Sequence, residues 1–132
     1  ATAEHVKKHG GSITGIITHR ICDYGKASRL PDELIRVDTL GERKQMMLDK
    51  ADVFIALPGG FGTLDEIFTV IAAGHLGYHD KKVVFCNTNG FYNLLINQIE
   101  LFYRERFASP HYKNYYQIAT NAEECIRILE NF

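Results

Sequence analysis

The sequence has few of the features that define several classes of protein. Its three cysteines, Cys22, Cys86 and Cys125, form no Cys-x-x-Cys pair, which argues against a zinc site and a disulfide framework. No apolar run approaches the roughly 20 residues that a membrane-spanning helix needs, and no signal peptide is visible. We therefore expect packed, unpaired thiols, no metal, no membrane contact and a location in the reducing cytoplasm.

The chain also lacks an excess of charge of either sign. Its 15 basic and 16 acidic side chains give a formal net charge of −1, which argues against broad electrostatic binding of nucleic acid. The composition, 45% hydrophobic and 23% charged over 132 residues, is typical of one globular domain. We expect a single domain over residues 1–132.

Strand and helix signals alternate along the chain. We predict strands at 12–18, 35–39, 52–57, 82–86 and 115–119, helices at 1–9, 41–50, 63–76, 91–106 and 121–129, and a surface loop at 19–34. The strand at 52–57 is nearly all apolar, which predicts burial on both faces. Alternation of this kind predicts a mainly parallel sheet with helices on both faces, in a Rossmann-like three-layer α/β sandwich. Ligands of such folds bind beyond the carboxyl ends of strands.

The longest of these helices carries an apolar stripe. Its spacing predicts the following buried side chains: Phe91, Leu94, Leu95, Ile99 and Phe102. A stripe of this kind indicates core packing and carries no information on function.

The most informative segment is 53–66, Val-Phe-Ile-Ala-Leu-Pro-Gly-Gly-Phe-Gly-Thr-Leu-Asp-Glu. It predicts a buried strand, a glycine-rich turn, and a helix that opens at Thr63 with two carboxylates in its first turn. Backbone N–H groups at a helix N-terminus attract anions. Three glycines would permit positive φ and close approach of a phosphate: Gly59, Gly60 and Gly62. We expect a phosphate site here with Glu66 beside it, and regard a purely structural turn as the weaker alternative.

A charged cluster, Glu42-Arg43-Lys44, opens the predicted helix 41–50. If strand 35–39 neighbours strand 52–57, Arg43 and Glu66 project into one cleft. A guanidinium can bind a phosphate or a ribose hydroxyl through paired hydrogen bonds. Taken alone, such a cluster is more often a solvated helix face, and its spacing does not decide between the two.

A phosphate site, a carboxylate and an arginine fit cleavage of the N-glycosidic bond of a nucleotide. The transition state is an oxocarbenium-like ribosyl cation, which a nearby carboxylate can stabilise or supply with an oriented water. A phosphate site would hold the 5′ end of the substrate in register.

Residues 58–66 resemble the signature of the "lonely guy" family, the cytokinin riboside 5′-monophosphate phosphoribohydrolases, often mislabelled as lysine decarboxylases. Residues 42–44 with Met47 are similar to the family's other motif, and the 23 residues from its arginine to the final glutamate of the signature match the family's interval. Segments 76–82 and 87–93 also resemble the family. The resemblance covers essentially the whole chain.

The resemblance implies that Arg43 and Glu66 are the catalytic pair. It also implies a set of substrate-binding residues: Gly59, Gly60, Gly62 and Thr63 on the 5′-phosphate, with Lys44 and Met47 in the nucleotide pocket. The implied reaction is hydrolysis of a purine (N6-substituted adenine) nucleoside 5′-monophosphate to free base and ribose 5-phosphate, without cofactor, in a homodimer or larger homo-oligomer.

Two departures from the family pattern stand out. Gly41 occupies the place of a usual histidine, which loosens the predicted helix start. The family's first strands and a further glycine-rich loop would precede Ala1, so we expect a domain truncated at its N-terminus.

Other functions stay open at this point. One is an AMP nucleosidase without a cytokinin role, a second is a non-catalytic nucleotide or molybdenum-cofactor carrier, and a third is an inactive fragment. The presence of both Arg43 and Glu66 argues against the carrier. Lysine decarboxylation would need pyridoxal phosphate on a Schiff-base lysine in a larger scaffold, whereas Lys44 beside Arg43 looks like a partner for phosphate or hydroxyl groups.

Overall fold

The computed structural model describes residues 2–20 and 30–132. The chain divides into two compact units, Ala1–Lys50 and Ala51–Phe132. Each unit has parallel strands, two in the first and three in the second, with helices packed on them. The predicted α/β class with parallel strands is thereby confirmed, and the single domain over 1–132 stays a prediction.

The first unit contains helix α1 (Thr2–Lys8), strand β1 (Thr14–Thr18), strand β2 (Glu33–Val37) and helix α2 (Leu40–Lys50). Strands β1 and β2 pair in parallel, with Thr14 opposite Glu33 and Thr18 opposite Val37. Helix α1 ends as its two following glycines predict. Gly10 adopts φ 79°, and the N–H of Gly11 reaches back to the carbonyl of Val6 at 2.9 Å, which closes a Schellman motif.

The boundaries predicted around β2 were wrong by two residues. The strand begins at Glu33, not 35, because the neighbouring Asp32 already pairs with Ile13: its N–H donates to the Ile13 carbonyl at 2.8 Å and its carboxylate accepts the Ile13 N–H at 2.9 Å. Of the predicted loop 19–34, residues 21–29 lie outside the described residues, residues 19–20 are helical, and residues 33–34 belong to β2.

The second unit contains six regular elements: β3 (Val53–Ala56), α3 (Phe61–His75), β4 (Lys82–Cys86), α4 (Asn93–Arg104), β5 (Tyr116–Ala119) and α5 (Ala122–Leu129). The strand order is β3-β4-β5, all parallel. Parallel neighbours need a crossover, and α3 and α4 are the helices that connect them. Two predictions are confirmed here. Strand β4 has the predicted bounds, and Asn121 caps α5, because its side chain accepts the N–H of Glu124 at 2.8 Å.

The core of the second unit is centred on β4. Val83, Val84 and Phe85 are at most 1% exposed, as expected for a parallel strand covered on both faces. For β3 the prediction of burial on both faces was wrong: Ile55 is 44% exposed, whereas its neighbours Phe54 and Ala56 are buried. In this unit β3 is an edge strand, and the strand that is buried on both faces is the central one, β4.

The predicted buried stripe of the long helix was also partly wrong. Ile99 is buried, but Leu94 is 85% and Phe91 55% exposed. Tyr92, just before the helix, is buried in their place and is 2% exposed. Its burial is possible because its hydroxyl donates a hydrogen bond to the carbonyl of Leu57 at 2.6 Å. Burying Tyr92 in place of Phe91 turns the helix away from the predicted face.

The remaining composition-based expectations concern cysteines and membranes. Cys86 and Cys125 are buried and unpaired, as predicted, and burial raises the pKa of the Cys125 thiol. Cys22 lies outside the described residues. None of the helices in residues 2–20 and 30–132 has the length and apolar character that crossing a bilayer requires.

His79 gives the second unit a pH dependence that can be tested. Its Nδ1 accepts the N–H of Lys81 at 3.1 Å and its Nε2 is buried. Burial lowers the pKa of this imidazole below its ordinary value of 6.5, by more than the Val70 backbone acts to raise it, so the folded chain binds its proton less readily than the unfolded chain. Stability is therefore greatest above pH 6.5 and declines as the pH falls.

We expect His79→Gln, which keeps an acceptor for Lys81, to flatten that decline. The change is bounded by one proton, at most about 1.4 kcal/mol per pH unit. Urea unfolding of both proteins between pH 8 and 5 measures it. Parallel curves for the two proteins would contradict the prediction.

Candidate active site

The connection from β3 to α3 is the glycine loop, residues 57–60, and it starts the helix earlier than predicted. Helix α3 begins at Phe61 with Gly60 as its N-cap, because the Gly60 carbonyl already accepts the N–H of Leu64 at 3.1 Å. The predicted start at Thr63 was wrong by two residues. Thr63 is the third residue of the helix, and the first turn carries no carboxylate, so Asp65 and Glu66 lie in the second turn.

The prediction of positive φ at the three glycines of the motif was wrong. None has positive φ, since the positive-φ glycines of the described chain lie elsewhere. Gly59 is required by close packing, because a Cβ there would collide with the Thr63 hydroxyl and lie 3.0 Å from the Thr63 Cβ. At Gly60 and Gly62 an added Cβ would meet nothing within 4 Å. These two positions leave the backbone open to an approaching ligand.

The N-terminus of α3 is also uncapped. Among the described residues no side chain caps its first turn, so the backbone donors of that turn and the positive end of the helix dipole are presented at the glycine loop. Bare donors beside open glycines suit a phosphate. The predicted residues Gly59, Gly60, Gly62 and Thr63 are therefore brought together at the start of α3, and phosphate binding there stays a prediction.

Glu66 lies on the same face of α3 as Thr63. The two residues are three positions apart, which makes them neighbours on a helix surface, and both side chains are partly buried. A carboxylate one turn from the anion-binding donors is placed to contact the part of a ligand that follows its phosphate. The predicted contact between Glu66 and a sugar stays a prediction.

The second motif lies on α2, in the first unit. The helix begins at Leu40, one residue before the prediction, because Thr39 caps it: the Thr39 hydroxyl accepts the N–H of Glu42 at 3.1 Å, and the Glu42 carboxylate accepts the N–H of Asp38 at 2.9 Å. This capping box compensates for the flexibility of Gly41. Its Thr-x-x-Glu pattern is legible in the sequence, and our prediction missed it.

Arg43 is held by the strand beside it. Its Nε donates to the carbonyl of Ile16 in β1 at 2.9 Å, which orients the planar guanidinium. Lys44 and Met47 are partly buried like Arg43, and the three lie at helical spacings that place them on one face of α2. The structure thus brings the three α2 residues together. Strand β2 pairs with β1 and β3 with β4, so the shared cleft of Arg43 and Glu66 stays a prediction.

Two further features bear on the chemistry. Within the described residues no group of three or more His, Cys, Asp or Glu side chains could hold a metal ion.

A mainly apolar cavity of about 280 Å³ in the second unit is lined by Phe68, Phe102 and Tyr116 among others, and includes none of the predicted site residues.

The comparisons with known proteins agree with these motifs. A family model described as "Possible lysine decarboxylase" matches residues 1–129. The cytokinin riboside 5′-monophosphate phosphoribohydrolases LOG5 and LOG7 of Arabidopsis thaliana are each 38% identical to the chain, over 98% and 94% of it and over 57% and 58% of their own lengths. One of the same name from Mycobacterium marinum is 41% identical over 70% of this chain and 50% of its own length.

The chain spans a little over half the length of the curated relatives it matches. The match of the family model over nearly the whole chain nevertheless decides the family, and the names of the relatives are those that the two motifs predict. The chain belongs to the family described as "Possible lysine decarboxylase", the one that also includes these phosphoribohydrolases.

Proposed function

We propose that the protein hydrolyses the N-glycosidic bond of a purine (N6-substituted adenine) nucleoside 5′-monophosphate and releases free base and ribose 5-phosphate. The observation that carries the proposal is the uncapped, glycine-lined N-terminus of α3 with Glu66 one turn along it. The names of the similar relatives support the same reaction.

In this proposal the 5′-phosphate binds the backbone donors at Gly60, Gly62 and Thr63, together with the Thr63 hydroxyl. The ribose then extends toward Glu66. As the C1′–N bond breaks, its electron pair leaves with the base, and the carboxylate stabilises the positive charge that develops on the ribose. Water adds to C1′, and one of its protons is taken up by the departing base.

Arg43 is the proposed second catalytic residue. Its guanidinium, held at Nε by Ile16, would bind a ribose hydroxyl or the phosphate, while Lys44 and Met47 line the nucleotide pocket. Hydrolysis requires water and these side chains only, so we propose no cofactor. Decarboxylation, which the family description names, would need a Schiff-base lysine and its cofactor, and the phosphate site on α3 gives no reason to prefer it.

Two rival functions differ from the proposal in measurable ways. An AMP nucleosidase would release adenine from AMP at least as fast as base from an N6-prenylated AMP. A nucleotide or molybdenum-cofactor carrier would bind its ligand without turnover. An assay of free base released from both nucleotides therefore separates all three.

We also propose that the protein forms a homodimer or larger homo-oligomer. Helix α3 exposes Phe61 at 95% and Phe68 at 37%, and Leu76 follows at 70%; exposed apolar side chains of this size mark interaction surfaces. The unpaired Cys86 and Cys125 are compatible with the cytoplasm as the proposed location.

The oligomer can be tested by substitution on α3. Phe68→Glu should lower the mass measured by sedimentation, because a carboxylate at a buried contact is costly. Glu123→Gln, on α5, is a surface control that should leave the mass unchanged. A monomer for the unchanged protein at micromolar concentration would exclude the proposed assembly.

Glu66→Gln should lower the rate of base release by about a hundredfold or more, because it removes the charge that stabilises the ribosyl cation. Nucleotide should still bind, since the phosphate donors are backbone groups. Chromatography of released base and calorimetric binding of AMP measure the two effects. Asp65→Asn, at the adjacent position of the same helix, is the matched control. Unchanged turnover in the Glu66 variant would remove this residue from the mechanism.

Arg43→Ala should also slow base release, by about ten- to a hundredfold, since one charge-assisted partner of the substrate is lost. Arg43→Lys keeps the positive charge but not the planar fork, and we expect it to recover only part of the rate. Thermal unfolding of both variants reports the structural effect of losing the bond to Ile16. If neither rate nor binding changes, the pairing of the two motifs fails.

A further inference from the structure

The hydroxyl of Tyr92 lies against the main chain of the glycine loop. It donates to the carbonyl of Leu57 at 2.6 Å. Burial raises the pKa of the phenol, and the nearby backbone of Gly59 acts in the opposite direction. The hydroxyl is therefore bonded to the residue before Pro58 and lies near the residue after it.

Tyr92 is itself held firmly. Its N–H donates to the side-chain oxygen of Asn87 at 2.7 Å, and the Asn87 amide donates to Asn93 at 2.8 Å. Asn87 is 9% exposed and its own N–H donates to the carbonyl of Ala119 at 2.7 Å. The Tyr92 ring packs edge-on against Phe85, with centroids 5.4 Å apart. The phenol is thus fixed to the ends of β4 and β5.

The glycine loop has little freedom to compensate for a change at Tyr92. Gly59 packs so closely on Thr63 that a Cβ could not be added, so a shift of Gly59 also moves the helix start. Loss of the phenol oxygen would remove this partner from the Leu57 carbonyl and free the residue that leads into the loop. Small displacements of groups that hold a substrate have large effects on rate.

We infer that Tyr92 is a positioning residue: its hydroxyl fixes the glycine loop in the conformation in which the start of α3 binds the 5′-phosphate. The inference rests on the proposed function and names a residue outside both motifs. Tyr92 touches no substrate in this scheme. It acts through its bond to Leu57.

A purely structural role for the hydroxyl is the alternative, and the chain offers a matched control. Tyr116 also donates or accepts through a partly buried hydroxyl, which lies 2.9 Å from that of Tyr103. Tyr116→Phe therefore removes a comparable hydrogen bond from the same unit without touching the glycine loop. Tyr92→Phe and Tyr116→Phe should lower the melting temperature to a similar extent.

The test is binding of ribose 5-phosphate, the phosphate-bearing product, measured by calorimetry with the unchanged protein and both variants. We expect Tyr92→Phe to weaken binding about tenfold, as loss of one effective hydrogen bond would, and Tyr116→Phe to change it less than about twofold. Base release from the nucleotide should show the same order in kcat/KM.

The outcomes separate the two levels of the argument. No binding of ribose 5-phosphate by the unchanged protein would overturn the proposed function and the inference together. Binding that weakens equally in both variants, or not at all in Tyr92→Phe, would overturn the inference alone. If Tyr92→Phe does not fold, Asn87→Ala removes both the acceptor of the Tyr92 N–H and the donor to Asn93, and unaltered binding in that variant would overturn the inference.

Discussion

The parallel pairing of β3 with β4 is the constraint on which the candidate site depends. Ala56 lies opposite Phe85 in the register, so the two strands end at one edge of the sheet and the segments that follow them meet there. That meeting lets Tyr92, which follows β4, reach Leu57, which follows β3. Burial of β4 on both faces keeps it in the centre of the sheet, where it pairs with β3 on one side and β5 on the other.

The proposed anion site on α3 consists almost entirely of backbone groups. Its donors are the first N–H groups of an uncapped helix. The lack of side chains at Gly60 and Gly62 leaves these groups open, and the lack of one at Gly59 allows close packing on Thr63. The start of α2 contrasts with it. There the Thr39 hydroxyl accepts the N–H of Glu42 in the first turn, and the Glu42 carboxylate accepts the N–H of Asp38 just before the helix. In the proposed function α2 would therefore bind the substrate through side chains such as Arg43, and α3 through its backbone.

Much of the fold could be predicted from the sequence where local and tertiary preferences agree. Strand β4 and the Asn121 cap are such cases. The start predicted for α3 was wrong because we took its glycines as signals for positive φ. The structure instead uses Gly59 for close packing against Thr63. The buried face predicted for α4 was wrong because the apolar pattern does not show that the Tyr92 hydroxyl has a hydrogen-bond partner 35 residues away. Long-range hydrogen bonds of that kind leave no periodic signal in the sequence.

The same contrast explains which part of a nucleotide site can be recognised in a sequence. Binding phosphate through backbone donors requires glycine at a position such as Gly59, because a Cβ there would collide with Thr63. A requirement for one particular residue type produces a recognisable sequence motif. Binding a purine requires apolar surface, which Met47 and many other side chains can provide. A base pocket therefore has no comparable signature. The phosphate end of the proposed substrate follows from the glycine loop, and discrimination among bases depends on side chains whose identity the motif does not constrain.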